Sequence, residues 1–441
     1  MKSFFYRLPL ILIFLGLSAS AQDEVLTKQE AINLILENNL DIKVARNTRL
    51  IDENNADILN SGYLPSVTGN ASGSIDKQNS EGVLANGDTR TAEGAETRRY
   101  SAAVNVNYTL FDGLGRYYNY KSFQERSEQS ELEVRQTIEN TILQLFTVYY
   151  EAARLTENTS TLEQALEISK DRLKRAQYQF EFGQNTGLDV LNAEVDINTD
   201  SINLLNSKQQ LRNTMRDLNL ILNRDLSAKF AADTTVTFVP GLQMENMYNE
   251  AQMNNVRLQI VEKDINMGLN DIRIAKSGYL PTIGLTGTYG WNESNNNSPL
   301  AFVLQNTSTG VTGTVNLTWN LFDGGTTITG IKNAKIAFQN QEIAKKQIQL
   351  EVERDIRNAW DSYTNALYVL QVQEKNLQTN QNNFNRTDER YKLGQVTSIE
   401  FRQAQLNLLN AELAKSQAKY NAKLAELQML QVSGQLLNVE F

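Results

Sequence analysis

The 441 residues include no cysteine and no histidine, and 42 basic residues stand against 51 acidic ones, a net charge of −9. Thiolate and imidazole catalysis, disulfides and the usual Cys/His zinc sites are thereby excluded. The acidic balance argues against a nucleic-acid partner, and any enzyme would be left with carboxylate, hydroxyl or lysine chemistry.

The chain opens as a secretory signal peptide over residues 1–21: Lys2 and Arg7, an apolar run from Leu8 to Leu17, then Ala19-Ser20-Ala21 as the cleavage site. A run of about ten apolar residues is too short for a spanning helix, which needs ~20. No cysteine follows the cleavage site to carry a lipid, and no second long apolar run occurs, so an exported chain without a transmembrane helix is expected.

Internal similarity organises the rest. Gly62-Tyr63-Leu64-Pro65 returns as Gly278-Tyr279-Leu280-Pro281, and Leu110-Phe111-Asp112-Gly113 as Leu321-Phe322-Asp323-Gly324. Phe182-Gly183-Gln184 with Thr186 matches Leu393-Gly394-Gln395 with Thr397, Asn38-Asn39 matches Asn254-Asn255, and Tyr149 matches Trp360. The expected organisation is two copies of one unit, residues 22–222 and 244–437, joined by a link over 223–243.

Each copy reads as a helix, two strands, a very long helix, a tight break and a further helix. The strands are expected near 63–75 and 99–111, then near 279–291 and 311–322. Tyr100, Ala102, Val104, Val106 and Tyr108 alternate with Ser101, Asn105, Asn107 and Thr109, and the segment from Val311 to Phe322 alternates in the same way. An apolar face, a small polar face and aromatic ends match outer-membrane strands. Four strands cannot close a barrel, and open edges are not tolerated in lipid, so several copies must share one. Polar loops over 76–97 and 292–310 would lie outside the cell.

Long helices are expected over about 116–181 and 326–392, followed by helices over 187–222 and 398–433, because strong helix formers fill stretches without proline or glycine. Ile138, Ile142, Leu145, Tyr149 and Ala152, and likewise Ile348, Val352, Ile356, Ala359 and Tyr363, form narrow coiled-coil seams. A soluble coiled coil is the plain alternative for the helices alone, and the strands argue against it.

With its signal peptide, paired units, Gly-Tyr-Leu-Pro strand openings, Leu-Phe-Asp-Gly strand exits and glycine-centred helical turns, the chain resembles the outer membrane efflux protein family of TolC-like channels. The resemblance implies a mixed α-helical and β membrane protein: a homotrimer with a shared twelve-stranded outer-membrane barrel and a helical tunnel across the periplasm. It implies an exit duct without enzymatic activity or cofactor, joined by a periplasmic adaptor to an inner-membrane pump of RND or ABC type. The chain would reside in the bacterial outer membrane, among its lipids, and extend into the periplasm. A tripartite efflux system and type I secretion share such a duct. The alternative is an outer-membrane-anchored coiled-coil scaffold without an open pore.

The family's periplasmic tip, gate and adaptor contact carry over onto Gly183, Thr186 and Asp189 in the first turn and onto Tyr391, Gly394, Val396, Thr397 and Glu400 in the second. Glycine suits a helix end that reverses through a left-handed position, threonine suits an N-cap, and an acid suits a first helical turn. Val396 stands where the family places a locking arginine, and Gln403 where it places a second acid. Tyr63, Tyr108, Phe111, Tyr279, Tyr289, Trp291, Trp319 and Phe322 read as interfacial aromatics, since such rings sit well at headgroup depth.

Overall fold

The computed structural model describes residues 25–439, so the signal-peptide segment lies outside the described residues. The chain runs through β1 (Val25–Leu26), α1 (Lys28–Asn38), α2 (Leu40–Asn55), β2 (Ser66–Val83), β3 (Thr89–Asp112), α3 (Gly115–Glu181) and α4 (Gly187–Ile221). It continues through β4 (Ala231–Ala232), α5 (Met244–Asn254), α6 (Val256–Ser277), β5 (Thr282–Asn296), β6 (Gln305–Thr318), α7 (Thr326–Lys392) and α8 (Ser398–Val432). Among the described residues no helix is long and apolar enough to cross a membrane.

α3 and α7 each have 67 residues, about 100 Å at 1.5 Å per residue. α3 packs against α4, α2, α6 and α8, and α7 packs against α8 and α6. The main core lies at mid-height, where Phe146, Tyr149 and Tyr150 of α3 meet Leu26, Leu218, Phe230, Tyr420 and Leu427. The Tyr149 hydroxyl donates to the Leu26 carbonyl at 2.5 Å and accepts from the Asp233 N–H at 3.0 Å, which ties β1 and the chain after β4 to the long helix. Smaller clusters continue along the helices, one around Leu162, Leu166, Leu204 and Leu409 and another around Val352 and Ile356.

Two asparagines perform one task at two places. Asn39 caps α2 by accepting from Asp41 and Ile42 while its amide donates to the Ile221 carbonyl at 3.0 Å. Asn255 caps α6 by accepting from Arg257 and Leu258 while its amide donates to the Val432 carbonyl at 2.8 Å. Each side chain thus satisfies a helix start and the free carbonyl at another helix's end, which explains why asparagine stands at both positions.

The four long strands form one antiparallel sheet in the order β2-β3-β5-β6. Opposed residues share a face, so Val67, Val106 and Gly287 stand on one side and Ser66, Asn107 and Thr286 on the other. A bulge between Thr109 and Phe111 sets Phe111 opposite Ile283, which brings it onto the apolar face despite its sequence parity. Among the described residues β2 and β6 each have one unpaired edge.

The first hairpin departs from the expected loop over 76–97. Pairing continues to Val83↔Thr89, and only Leu84–Asp88 make the turn. Alternating hydrophobicity marks only the stretch with one apolar face, whereas backbone pairing continues past it. β6 likewise starts at Gln305 and ends at Thr318, which leaves Trp319 and Phe322 beyond the strand.

Candidate functional site

The end of the molecule farthest from the sheet is built from two helical reversals. In the first, Gly183 has φ +70°, its N–H donates to the Phe180 carbonyl at 3.0 Å, and the Gln184 N–H donates to the Gln179 carbonyl at 2.7 Å. In the second, Gly394 has φ +71°, its N–H donates to Tyr391 at 3.0 Å, and Gln395 donates to Arg390 at 2.9 Å. Both satisfy the last carbonyls of a long helix through a left-handed glycine.

The returning helices begin at Thr186 and Thr397. The Asp189 carboxylate accepts from the Thr186 N–H at 3.3 Å and from its hydroxyl at 2.9 Å. Glu400 accepts from the Thr397 N–H at 2.7 Å and hydroxyl at 2.9 Å, while the Glu400 N–H donates back to that hydroxyl at 3.2 Å. The Thr397 backbone N–H, then its hydroxyl, hold the Glu400 carboxyl below the usual glutamate range, with a smaller contribution from Arg390. Each acid therefore serves its own turn, and the two do not form a pair.

Tyr391 is buried on α7, with its ring stacked on Phe401 at 4.6 Å, and Phe384 lies 5.6 Å from Phe401. Among the described residues the Tyr391 hydroxyl has no hydrogen-bond partner, so Tyr391 and Asp189 are not bonded. Asp189 instead lines a cleft of about 310 Å³ with Arg172, Asp196, Ser398, Arg402 and Gln403. Val396 is half-buried in the second turn.

Sequence reading missed the cluster that lies just inside this tip. The Arg402 guanidinium on α8 makes two 2.8 Å bonds to the Asp200 carboxylate on α4, and its Nη1 also donates to Ser169 Oγ on α3 at 3.2 Å. Ser169 donates to Asp200 at 2.6 Å, and Gln405 Nε2 donates to the Ala165 carbonyl at 2.9 Å. Arg172 pairs with Asp196, whose other oxygen lies 3.5 Å from Arg402 Nε. The signal that would have found the cluster is the acids Asp196 and Asp200, one turn apart on α4 and in line with buried Ala193 and Leu204.

The aromatic residues occupy two levels of the sheet. Near the helices Tyr108 opposes Leu285 and Phe111 opposes Ile283; farther out Tyr289 opposes Val104 and Val311, and Trp291 opposes Ala102. Tyr63 lies edge-on to Tyr120, Trp319 Nε1 donates to the Tyr279 carbonyl at 3.1 Å, and Phe322 is exposed. At the strand exits Asp112 accepts from the Arg116 N–H at 2.9 Å and Asp323 from the Thr327 N–H at 2.8 Å, which starts the long helices. Among the described residues no group of acidic side chains is placed to hold a metal ion.

The model of the outer membrane efflux protein family matches residues 31–224 and 247–435. The chain belongs to this family. It is 23% identical over 349 residues to the outer membrane protein TolC of Vibrio cholerae, covering 77% of this chain and 78% of that protein. It is 21% identical over 422 residues to the outer membrane efflux protein BepC of Brucella suis, covering 93% of this chain and 88% of the relative. The crystal structure of the Campylobacter jejuni outer membrane channel CmeC shares the fold, with a TM-score of 0.77 at 18% identity over 93% of this chain and 86% of that one. The protein is thus an outer-membrane efflux channel, and the family is one of ducts rather than enzymes.

Proposed function

We propose that three copies of this chain form the exit duct of a tripartite efflux or type I secretion system, which passes substrates from an inner-membrane pump, of RND or ABC type, through a periplasmic adaptor to the exterior. The observation that carries this reading is the sheet: one apolar and one small polar face, two bare edges, and strands that lead directly into 67-residue helices. Bare edges are not tolerated in lipid, and three copies of four strands close a barrel of twelve. The two aromatic levels would then sit at the two membrane interfaces.

The helices support the same assembly. Leu188, Leu191, Val195, Ile202 and Leu205 stay exposed on α4, and Ile336, Ile343 and Leu350 stay exposed at seven-residue intervals on α7. Such stripes are coiled-coil seams awaiting partners, which neighbouring copies would supply. The two family matches, 31–224 and 247–435, favour two copies of one unit in each chain. The tip residues Gly183, Thr186, Asp189, Tyr391, Gly394, Val396, Thr397 and Glu400 would form the entrance and adaptor contact, with half-buried Val396 supplying an apolar constriction.

Detergent-extracted protein should run as a trimer and conduct ions in planar bilayers. A trimer that never conducts would favour the scaffold reading. A deletion strain exposed to dyes, detergents and antibiotics would then reveal the cargo.

A further inference from the structure

The polar face of the sheet is nearly without charge. Where the strands pair, the even-numbered residues of β2 and β5 and their partners on β3 and β6 are Ser, Thr, Asn, Gln, Gly and Ala, except for Asp112 at the inner end, Arg90 at the outer end, and Asp76 and Arg99 between them. Asp76 and Arg99 are ion-paired across β2 and β3, near the outer end of the wall. The next charge on this face is Arg90, farther out beside Gly82. Arg98, the neighbour of Arg99, points to the opposite face and pairs with Glu96 at 2.5 Å.

The same face is roofed just beyond the pair. Ala92, Ala95 and Thr97 are buried there, and Leu300 lies on the side to which a Cβ at Gly82 would point, 3.9 Å from that position. The loop is anchored by Asn297, whose N–H donates to the Glu96 carbonyl at 3.1 Å and whose Oδ1 accepts from the Glu96 N–H at 2.7 Å. This loop, over residues 297–304, covers the polar face just beyond the pair, at the level of Gly82 and Arg90.

We propose that Asp76 and Arg99 form the charge filter of the external exit and act on small charged solutes leaving the barrel. The inference rests on the reading of the polar face as lumenal. Along the neutral stretch between Asp112 at the inner end and Arg90 farther out, this pair sets the field that a solute meets. While the two balance, their level of the wall favours neither cations nor anions even though the chain as a whole is acidic.

The absence of cysteine from the chain allows a direct test. Ser101→Cys places a single thiol on the polar face two residues from Arg99, and Ala102→Cys places one on the apolar face. In intact outer membranes, each is treated with a cationic and an anionic membrane-impermeant methanethiosulfonate. The ratio of the two rates cancels the thiol's own ionisation and reads the local field.

Ser101→Cys should react and Ala102→Cys should not. In the Ser101→Cys background, Arg99→Ser should shift the ratio about threefold toward the cationic reagent and Asp76→Ser about threefold toward the anionic one. Arg98→Ser should leave it unchanged. An unreactive Ser101→Cys, or equal reaction of both thiols, overturns the lumenal reading and the filter with it. The expected accessibility with a ratio indifferent to Arg99 and Asp76 overturns the filter alone.

Discussion

Arg402 of α8 and Asp200 of α4 meet in a two-pronged ion pair buried between helices that belong to different hairpins of the chain. Ser169 of α3 bonds to both partners, so three helices are fixed to one point just inside the tip. Charges in such a place are costly to strand, and the pair holds α3, α4 and α8 together just inside the tip.

Removal of one partner should therefore be far worse than removal of both. Asp200→Asn or Arg402→Met alone should destabilise the protein by about 3–5 kcal/mol, because the remaining group is buried without its counter-charge. The double variant Asp200→Leu/Arg402→Met should recover most of that loss. Thermal unfolding in detergent would reveal the difference, and additive losses would show that the pair does not act as a unit.

Two left-handed glycines should respond differently to alanine. Gly183 has open space around its Cβ direction, so Gly183→Ala should cost only the backbone penalty, about 1–2 kcal/mol. A Cβ at Gly113, where φ is +71°, would fall 2.5 Å from the Ser277 carbonyl oxygen and 2.9 Å from Leu280 Cβ. Gly113→Ala should cost about 3 kcal/mol or more and loosen the join between sheet and helix, as seen in the yield of folded protein.

Burial pushes the Tyr149 hydroxyl up to about 12. A group raised in the folded state leaves stability intact below its unfolded value near 10 and withdraws it as pH climbs toward the folded value. Alkaline titration should therefore weaken the wild-type protein between about pH 10 and 12. Tyr149→Phe should remove that contribution and cost about 1–3 kcal/mol at neutral pH by stranding the Leu26 carbonyl and the Asp233 N–H.

The Glu400 carboxyl is depressed by its bonds to Thr397, so its contribution has the opposite dependence. It is complete above the unfolded glutamate value of about 4.3 and fades as pH falls through the lower folded one. Hydrogen exchange in the first turn of α8 should quicken in acid, and Thr397→Val should bring part of that quickening to neutral pH.

An apolar constriction at Val396 predicts a conductance change. Val396→Asp or Val396→Gly should raise the resting conductance of the reconstituted channel, and an unaltered trace would remove Val396 from the closure.

The long helices were legible because the stretches from Gly115 to Gly183 and from Gly330 to Gly394 contain no internal glycine and no proline. Ile142, Leu145, Tyr149, Val352 and Ile356, read as seam positions, are buried. The Arg402–Asp200 pair was hidden because it joins residues 202 positions apart, and charge on a helix ordinarily marks a solvated face. Tyr391 was placed at the tip by resemblance, but its packing against Phe401 and Phe384 depends on side-chain geometry that no spacing rule supplies. The outer half of the first hairpin escaped notice because its alternation ends before its pairing does.

The bare edges of β2 and β6 also bear on how the protein is made. A chain that arrives alone at the bilayer carries two rows of unpaired backbone groups and cannot enter without cost. Insertion is then a reaction between chains rather than a property of one. Its rate should rise more steeply than linearly with the supply of newly exported protein, and scarcity should leave chains stranded in the periplasm rather than inserted singly.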